Sequence, residues 1–215
     1  MNNVFQIEDA VRRGVYPSHP IDAIIFDCDG TLTDSMPVHY VAWYRTMKRY
    51  GIDFPEDRFY ALGGVPSDKI IRLLADEQRV QIDARSAAIE KEYAFLELID
   101  WLTPIDIILD IAKHFHGKMP LAVASGGIRE VIHRQLVQID CKDLFQAVVT
   151  AEDTERHKPD PDVFLKAAEM LQVDPVSCLV YEDSDLGIEA ARRANMHCID
   201  VRRFHQPKRI PVNEP

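Results

Sequence analysis

Ile21-Asp22-Ala23-Ile24-Ile25-Phe26 runs directly into Asp27-Cys28-Asp29-Gly30-Thr31. Residues 21–26 have the length and β-branched content of a strand buried on both faces, as in a parallel sheet. Comparable runs stand at 119–124 (MPLAVA), 147–150 (AVVT), 178–181 (CLVY) and, more weakly, 197–201 (HCIDV). Helical patterns at 106–114, 128–137, 161–171 and 186–194 separate the later runs. Strand alternating with helix predicts an α/β fold built on a doubly wound parallel sheet. Residues 36–101 break the rhythm: they offer helical segments at 38–50, 67–77 and 83–99, with Gly51, Pro55, Gly63, Gly64 and Pro66 between them, and no strand. The expected organisation is a core from residues 1–35 and 101–215, interrupted by an all-helical insertion at 36–100.

Composition sets the outer limits. The 215 residues are 47% hydrophobic and 28% charged, with 9 Gly and 13 Pro, which excludes fibrous and largely disordered classes. A chain of this length buries a real core without disulfides. The formal net charge of −10 excludes nucleic acid or an anionic membrane as a partner held by the overall field. No apolar run approaches the ~20 residues that cross a bilayer. Glu8, Asp9, Arg12 and Arg13 occupy the place of a signal peptide's apolar stretch. Four scattered cysteines without a CxxC pair read as buried thiols of a reducing compartment. A cytoplasmic protein, monomer or homodimer, is expected. At the ends, Val4, Ile7 and Val11 form one side of a short helix, while residues 205–215 read as a frayed, Pro-rich tail with a solvated basic cluster, Arg202, Arg203, Lys208 and Arg209.

Ligands of doubly wound sheets bind beyond the carboxyl ends of the strands. The residues in that position are Asp27 and Asp29 after the first run, Ser125-Gly126-Gly127 after the second, Lys158 beyond the third, and Glu182-Asp183 after the fourth. Crowded carboxylates repel and take up protons. A divalent cation resolves the conflict, and Mg²⁺ is characteristically held by one or two carboxylates plus a substrate phosphate. Ser125, Lys158 and backbone N–H groups near Cys28, Asp29 and Gly126 then suit the phosphate oxygens.

Asp27-Cys28-Asp29-Gly30-Thr31 matches the DxDGT signature of the haloacid dehalogenase superfamily. A chance match of its four fixed positions is on the order of one in a thousand for such a chain. Ser125, Lys158-Pro159 and Glu182-Asp183-Ser184 match the superfamily's remaining motifs in order. The segments HKPDPD (157–162) and EDSDLGIEAARRANM (182–196) resemble its β-phosphoglucomutase-like branch, and the insertion is similar to that branch's helical cap. The resemblance spans roughly residues 21–201.

It implies a Mg²⁺-dependent phosphatase of a small phosphate ester. Asp27 would be the nucleophile, forming an aspartyl phosphate, and Asp29 the general acid and then base, its carbonyl also a metal ligand. Asp183, with Glu182 close by or acting through water, would complete the metal site. Ser125 and Lys158 would hold the phosphoryl oxygens. Thr31 reads as a turn residue, Cys28 as a packing residue whose N–H matters, and Asp185 as a helix-start residue. His114 and His116, flanking Phe115 at a helix end, read as surface or capping residues, and His133 and His157 show no metal-ligand spacing.

In the insertion, His39 stands where the branch places a histidine facing the site. Residues 63–69 (GGVPSDK) resemble the substrate-specificity loop, with Ser67 in place of the mutase's phosphate-binding arginine and Lys69 two residues on. The loop and the HKPDPD stretch are most similar to bacterial fructose-1-phosphate phosphatases. The alternatives are a β-phosphoglucomutase-type mutase, which the missing arginine disfavours, and a phosphonate hydrolase with Lys69 as its Schiff-base lysine. A dehalogenase has no use for Asp29. A signalling receiver domain carries its acidic pair and phosphorylated aspartate in the reverse order and has no place for the insertion. Linkers at 34–37 and 101–104 are expected to hinge the insertion.

Overall fold

The computed structural model describes residues 6–212. Its helices and strands, in chain order, begin with α1 (Ile7–Arg12), β1 (Ala23–Phe26), α2 (Met36–Arg49), α3 (Glu56–Ala61), α4 (Ser67–Gln78) and α5 (Ala84–Leu96). There follow α6 (Asp106–Phe115), β2 (Leu121–Ala124), α7 (Arg129–Gln138), β3 (Ala147–Val149), α8 (Asp162–Leu171), β4 (Cys178–Glu182), α9 (Asp185–Arg193) and β5 (His197–Asp200). The five strands form one parallel sheet in the order β3-β2-β1-β4-β5, so the strand carrying Asp27 is central.

Burial on both faces explains the apolar runs. Ile24, Phe26, Leu121, Val123, Leu179 and Tyr181 point into a core shared with α6 and α7. Their alternates, Ala23, Ile25, Ala122, Ala124 and Val180, meet α8 and α9 on the other face. Period-2 alternation between two apolar layers is the signature of a strand sandwiched by helices. Strands β3, β4 and β5 start where their runs do, whereas β1 and β2 start two residues later; Asp22 N–H still bonds the Ser177 carbonyl, outside the ladder.

Helices α2 to α5 form the insertion. Tyr40, Trp43, Met47, Phe54, Phe59 and Leu74 pack into one cluster; a second, with Val38, Val41, Phe95 and Leu98, also takes in Val131 of α7 and thereby seats the insertion on the core. The six-residue α3 was not expected, because one and a half turns show no 3.6-residue periodicity. The two crossing segments pair with each other: Asp34 N–H bonds the Thr103 carbonyl, and Ile105 N–H bonds Leu32.

The N-terminal helix forms where it is expected, while the segment after β5 departs from expectation. In α1 the buried residue is Ala10, with Ile7 and Val11 half-buried; Val4 lies outside the described residues. The Val15 carbonyl accepts from the buried Tyr181 hydroxyl at 2.6 Å, which ties this segment to the sheet. The tail does not hang free over residues 205–212. His205 Nε2 lies 3.2 Å from Asp34 Oδ1 in the first linker, Arg209 pairs with Asp57 at 2.9 Å and Glu56 at 3.6 Å, and Ile210 and Val212 pack on the insertion's apolar clusters. Arg202 pairs with Asp200 and Asp185. Composition suggested a solvated tail; the apolar pair at 210 and 212 and an acidic docking patch on α3 hold it down instead.

Candidate active site

A cavity of about 390 Å³ lies between the carboxyl edge of the sheet and the insertion. Asp27, Asp29, Ser125, Gly126, Lys158, Glu182 and Asp183 all line it, so four segments far apart in sequence converge on one place.

The loop after β1 is built on one carbonyl. Cys28 O accepts from the N–H groups of Thr31, Leu32 and Thr33, while Gly30 N–H returns to the Thr33 carbonyl. Gly30 has φ +75°, and a Cβ there would overlap the Asp183 carboxylate, so only glycine lets the two acidic segments close together. The Cys28 thiol is fully buried in the core and does not line the cavity. Thr31 is also buried, and its hydroxyl has no hydrogen-bond partner among the described residues, so its backbone is what shapes the loop.

Lys158 reaches across to Asp27 Oδ1 and Glu182 Oε2, each at 2.7 Å. Burial would lower the lysine's proton affinity, but the two carboxylates overcome it and raise it above the ordinary value. Glu182 is 1% exposed, and its other oxygen accepts from the N–H groups of Asp183 and Ser184 and from the Ser184 hydroxyl. Gly187, in the first turn of α9, leaves room for this carboxylate, which a Cβ would overlap. Glu182 is thus committed to anchoring Lys158. Asp183 accepts no side-chain hydrogen bond among the described residues, which leaves its oxygens available. Burial, then the charge of Glu182, pushes both Asp27 and Asp183 well above the usual carboxylate range.

The donor set fits a divalent cation. Asp27, Glu182 and Asp183 each offer an oxygen within 4.8 Å of the others. All are hard oxygen ligands, and their mutual repulsion is what a dication relieves. Ser125, 1% exposed, accepts from Gly127 N–H at 3.1 Å, so its own hydroxyl hydrogen is free to point at a bound oxyanion.

Asp29 is held differently. Ser35 Oγ (2.7 Å), His39 Nε2 (2.8 Å) and Gln135 Nε2 (2.8 Å) all meet its Oδ1. Burial would raise its pKa, but His39 and the hydrogen bonds from His39, Ser35 and Gln135 hold the carboxyl well below the usual range. His39 stacks on Phe95 with ring centroids 3.8 Å apart. Its Nδ1 lies 3.2 Å from the ammonium of Lys91, which is 4% exposed and also pairs with Glu92 at 2.9 Å. An ammonium only donates, so Nδ1 accepts and the ring proton sits on Nε2, facing Asp29.

Lys91 and Gln135 were not singled out in the sequence. Both stand in phase with apolar neighbours: Lys91 with Ala84, Ala87, Ala94 and Phe95, and Gln135 with Val131, Ile132 and Leu136. A polar residue inside an apolar stripe was the available signal. In the loop before α4, Ser67 lines the cavity and donates to Glu92 at 3.3 Å, whereas Lys69 is exposed and does not line it. The buried cavity lysine of the insertion is Lys91, not Lys69. Asp185 opens α9 and pairs with Arg202 at 2.8 Å.

The profile of the haloacid dehalogenase-like hydrolase family matches residues 24–201. The chain is 36% identical over 180 residues to fructose-1-phosphate phosphatase YqaB of Escherichia coli, covering 83% of this chain and 95% of that protein. It is 30% identical over 190 residues to β-phosphoglucomutase of Bacillus subtilis, covering 83% and 82%. The crystal structure of β-phosphoglucomutase from Clostridium difficile superposes with a TM-score of 0.73 at 27% identity, covering 84% of each chain. The chain belongs to the haloacid dehalogenase-like hydrolase family.

Proposed function

We propose that this family member is a Mg²⁺-dependent phosphatase of a small phosphorylated metabolite, a sugar phosphate such as fructose 1-phosphate, acting through an aspartyl phosphate on Asp27. The observation that carries the reading is the pairing of Lys158 with Asp27 beside Ser125, with a second, separately held aspartate two residues on. Residues 36–100 act as the cap over a core of 1–35 and 101–215. The cytoplasm is the proposed location, as monomer or homodimer; among the described residues no helix is long and apolar enough to cross a membrane.

Asp27 and Asp183 would hold the Mg²⁺, with the Asp29 carbonyl as a further ligand and Glu182 behind them. The bound ion supplies neutralisation of the phosphoryl charge. Ser125 and Lys158 orient the phosphoryl oxygens so that the Asp27 carboxylate attacks phosphorus in line. Asp29 gives a proton to the departing alcohol oxygen, then takes one from the water that cleaves the aspartyl phosphate. The hydrogen bonds on Oδ1 keep Asp29 ionised before substrate binds. For the acid step, the anionic phosphoryl group beside it raises its proton affinity. With the cap seated, bulk water is excluded while the phosphoryl group passes to Asp27, and the hydrolytic water enters afterwards.

Against the mutase reading, the cavity has no arginine among the described residues, and the cap face presents Asp68 and Glu92 to it. Lys91 is already engaged by Glu92 and His39 and makes a poor clamp for a second phosphate. The test is phosphate release over a panel of sugar phosphates with Mg²⁺ or EDTA, with Asp27→Asn as control. Conversion of bisphosphate-primed β-glucose 1-phosphate is followed in parallel. Metal-dependent release supports the phosphatase; isomerisation without release would establish the mutase.

A further inference from the structure

We propose that Gln135 is the positioning residue that aims the carboxylate of Asp29 for proton transfer, an inference that rests on the phosphatase reading above. Gln135 is 0% exposed on a helix face where its neighbours are Val131, Ile132 and Leu136. A buried amide there is costly unless both ends are bonded. Both are: Nε2 donates to Asp29 Oδ1 at 2.8 Å, and Oε1 accepts from Thr33 Oγ1 at 2.7 Å. The orientation is determined by chemistry. An ionised carboxylate only accepts, so the amide nitrogen faces Asp29, and the Thr33 hydroxyl must then donate to the amide oxygen.

The three donors on Oδ1 come from different bodies. His39 belongs to α2 of the insertion and Ser35 to the linker leading into it, whereas Gln135 belongs to α7 of the core. When the insertion shifts, His39 moves with it; Gln135 stays with the sheet. It therefore holds the Asp29 rotamer through the cycle and leaves Oδ2 as the oxygen that exchanges protons. In the first half-reaction the Oδ2 proton passes to the ester oxygen as its bond to phosphorus breaks and the Asp27–phosphorus bond forms. In the second, a water proton passes to Oδ2 as water oxygen bonds phosphorus and the Asp27–phosphorus bond breaks, releasing phosphate.

Leaving groups separate this role from a structural one. A sugar alkoxide needs the proton, while p-nitrophenolate departs as an anion. With Mg²⁺ supplied, kcat/KM is measured for the best sugar phosphate and for p-nitrophenyl phosphate in the wild type, Gln135→Met and Thr33→Val. Gln135→Met is expected to lower the sugar phosphate value by about 10-fold or more and the aryl value by less than about 3-fold. Equal falls, or none, overturn the proposal. Should Gln135→Met not fold, Thr33→Val removes the hydroxyl that orients the amide, which also lies 3.2 Å from the Cys28 carbonyl; it should move the ratio of the two values the same way by about 3-fold, a ratio that a general loosening of the loop leaves unchanged, and an unchanged ratio overturns the proposal. Wild-type protein that hydrolyses neither ester overturns the phosphatase reading itself, and this inference with it.

Discussion

His39 Nε2 stands 2.8 Å from Asp29 Oδ1, so the first helix of the insertion touches the proposed acid/base group directly. Lys91 fixes the tautomer that makes this contact. Replacing Lys91 by Met keeps the volume and removes the donor to Nδ1. We expect kcat to fall about 10-fold with little change in KM, since the effect falls on proton transfer more than on binding. Nitrogen NMR of His39 would show the Nε2–H form giving way to a mixture of tautomers.

Asp27→Asn should abolish phosphate release, by about 10³-fold or more, while leaving a folded protein. The substitution removes a carboxylate whose burial and neighbour Glu182 already disfavour its charge. A melting curve unchanged to within a few degrees, beside lost activity, is the expected result.

Mg²⁺ should raise the melting temperature of the wild type by mass action on the folded state. Asp183→Asn should remove most of that rise, because Asp183 is the acidic group whose oxygens are not otherwise engaged. Glu182→Gln is expected to act chiefly through Lys158 and to retain more of the metal response. Differential scanning fluorimetry with and without EDTA measures both.

Gly30→Ala should destabilise the protein by at least about 2 kcal/mol, since a side chain there meets both a left-handed backbone and the Asp183 carboxylate. Denaturant unfolding of the two proteins gives the difference.

The thiols offer a test of packing. All four cysteines are free. Burial pushes Cys178 up to about 11 and Cys141 and Cys198 up to about 12, with Cys28 also well above its usual value. Thiolate is therefore scarce below those values and grows only as pH rises through them. Native protein at pH 8 should react slowly with a disulfide reagent, and unfolding should release four equivalents.

Much of the site was legible because parallel strands deliver their carboxyl ends to one edge. Asp27, Ser125 and Glu182 each follow an apolar run, and a sheet of this class must bring such residues together. Lys91, Gln135 and α3 were not legible in the same way. The first two are polar groups standing in an apolar phase, which periodicity reads as noise. The third is too short to have a period. The tail misled for a related reason: proline and arginine suggested solvent, whereas two aliphatic residues and an acidic counter-surface decide its position.

That docked tail has a mechanical consequence. Two peptide crossings, at 33–34 and 103–105, join helices α2 to α5 to the sheet. Arg209 on Glu56 and Asp57 adds a contact from the segment after β5, beside the packing on Val131 and the His39–Asp29 pair. Any displacement of those helices from the sheet therefore breaks the Arg209 pairs or carries residues 205–212 along.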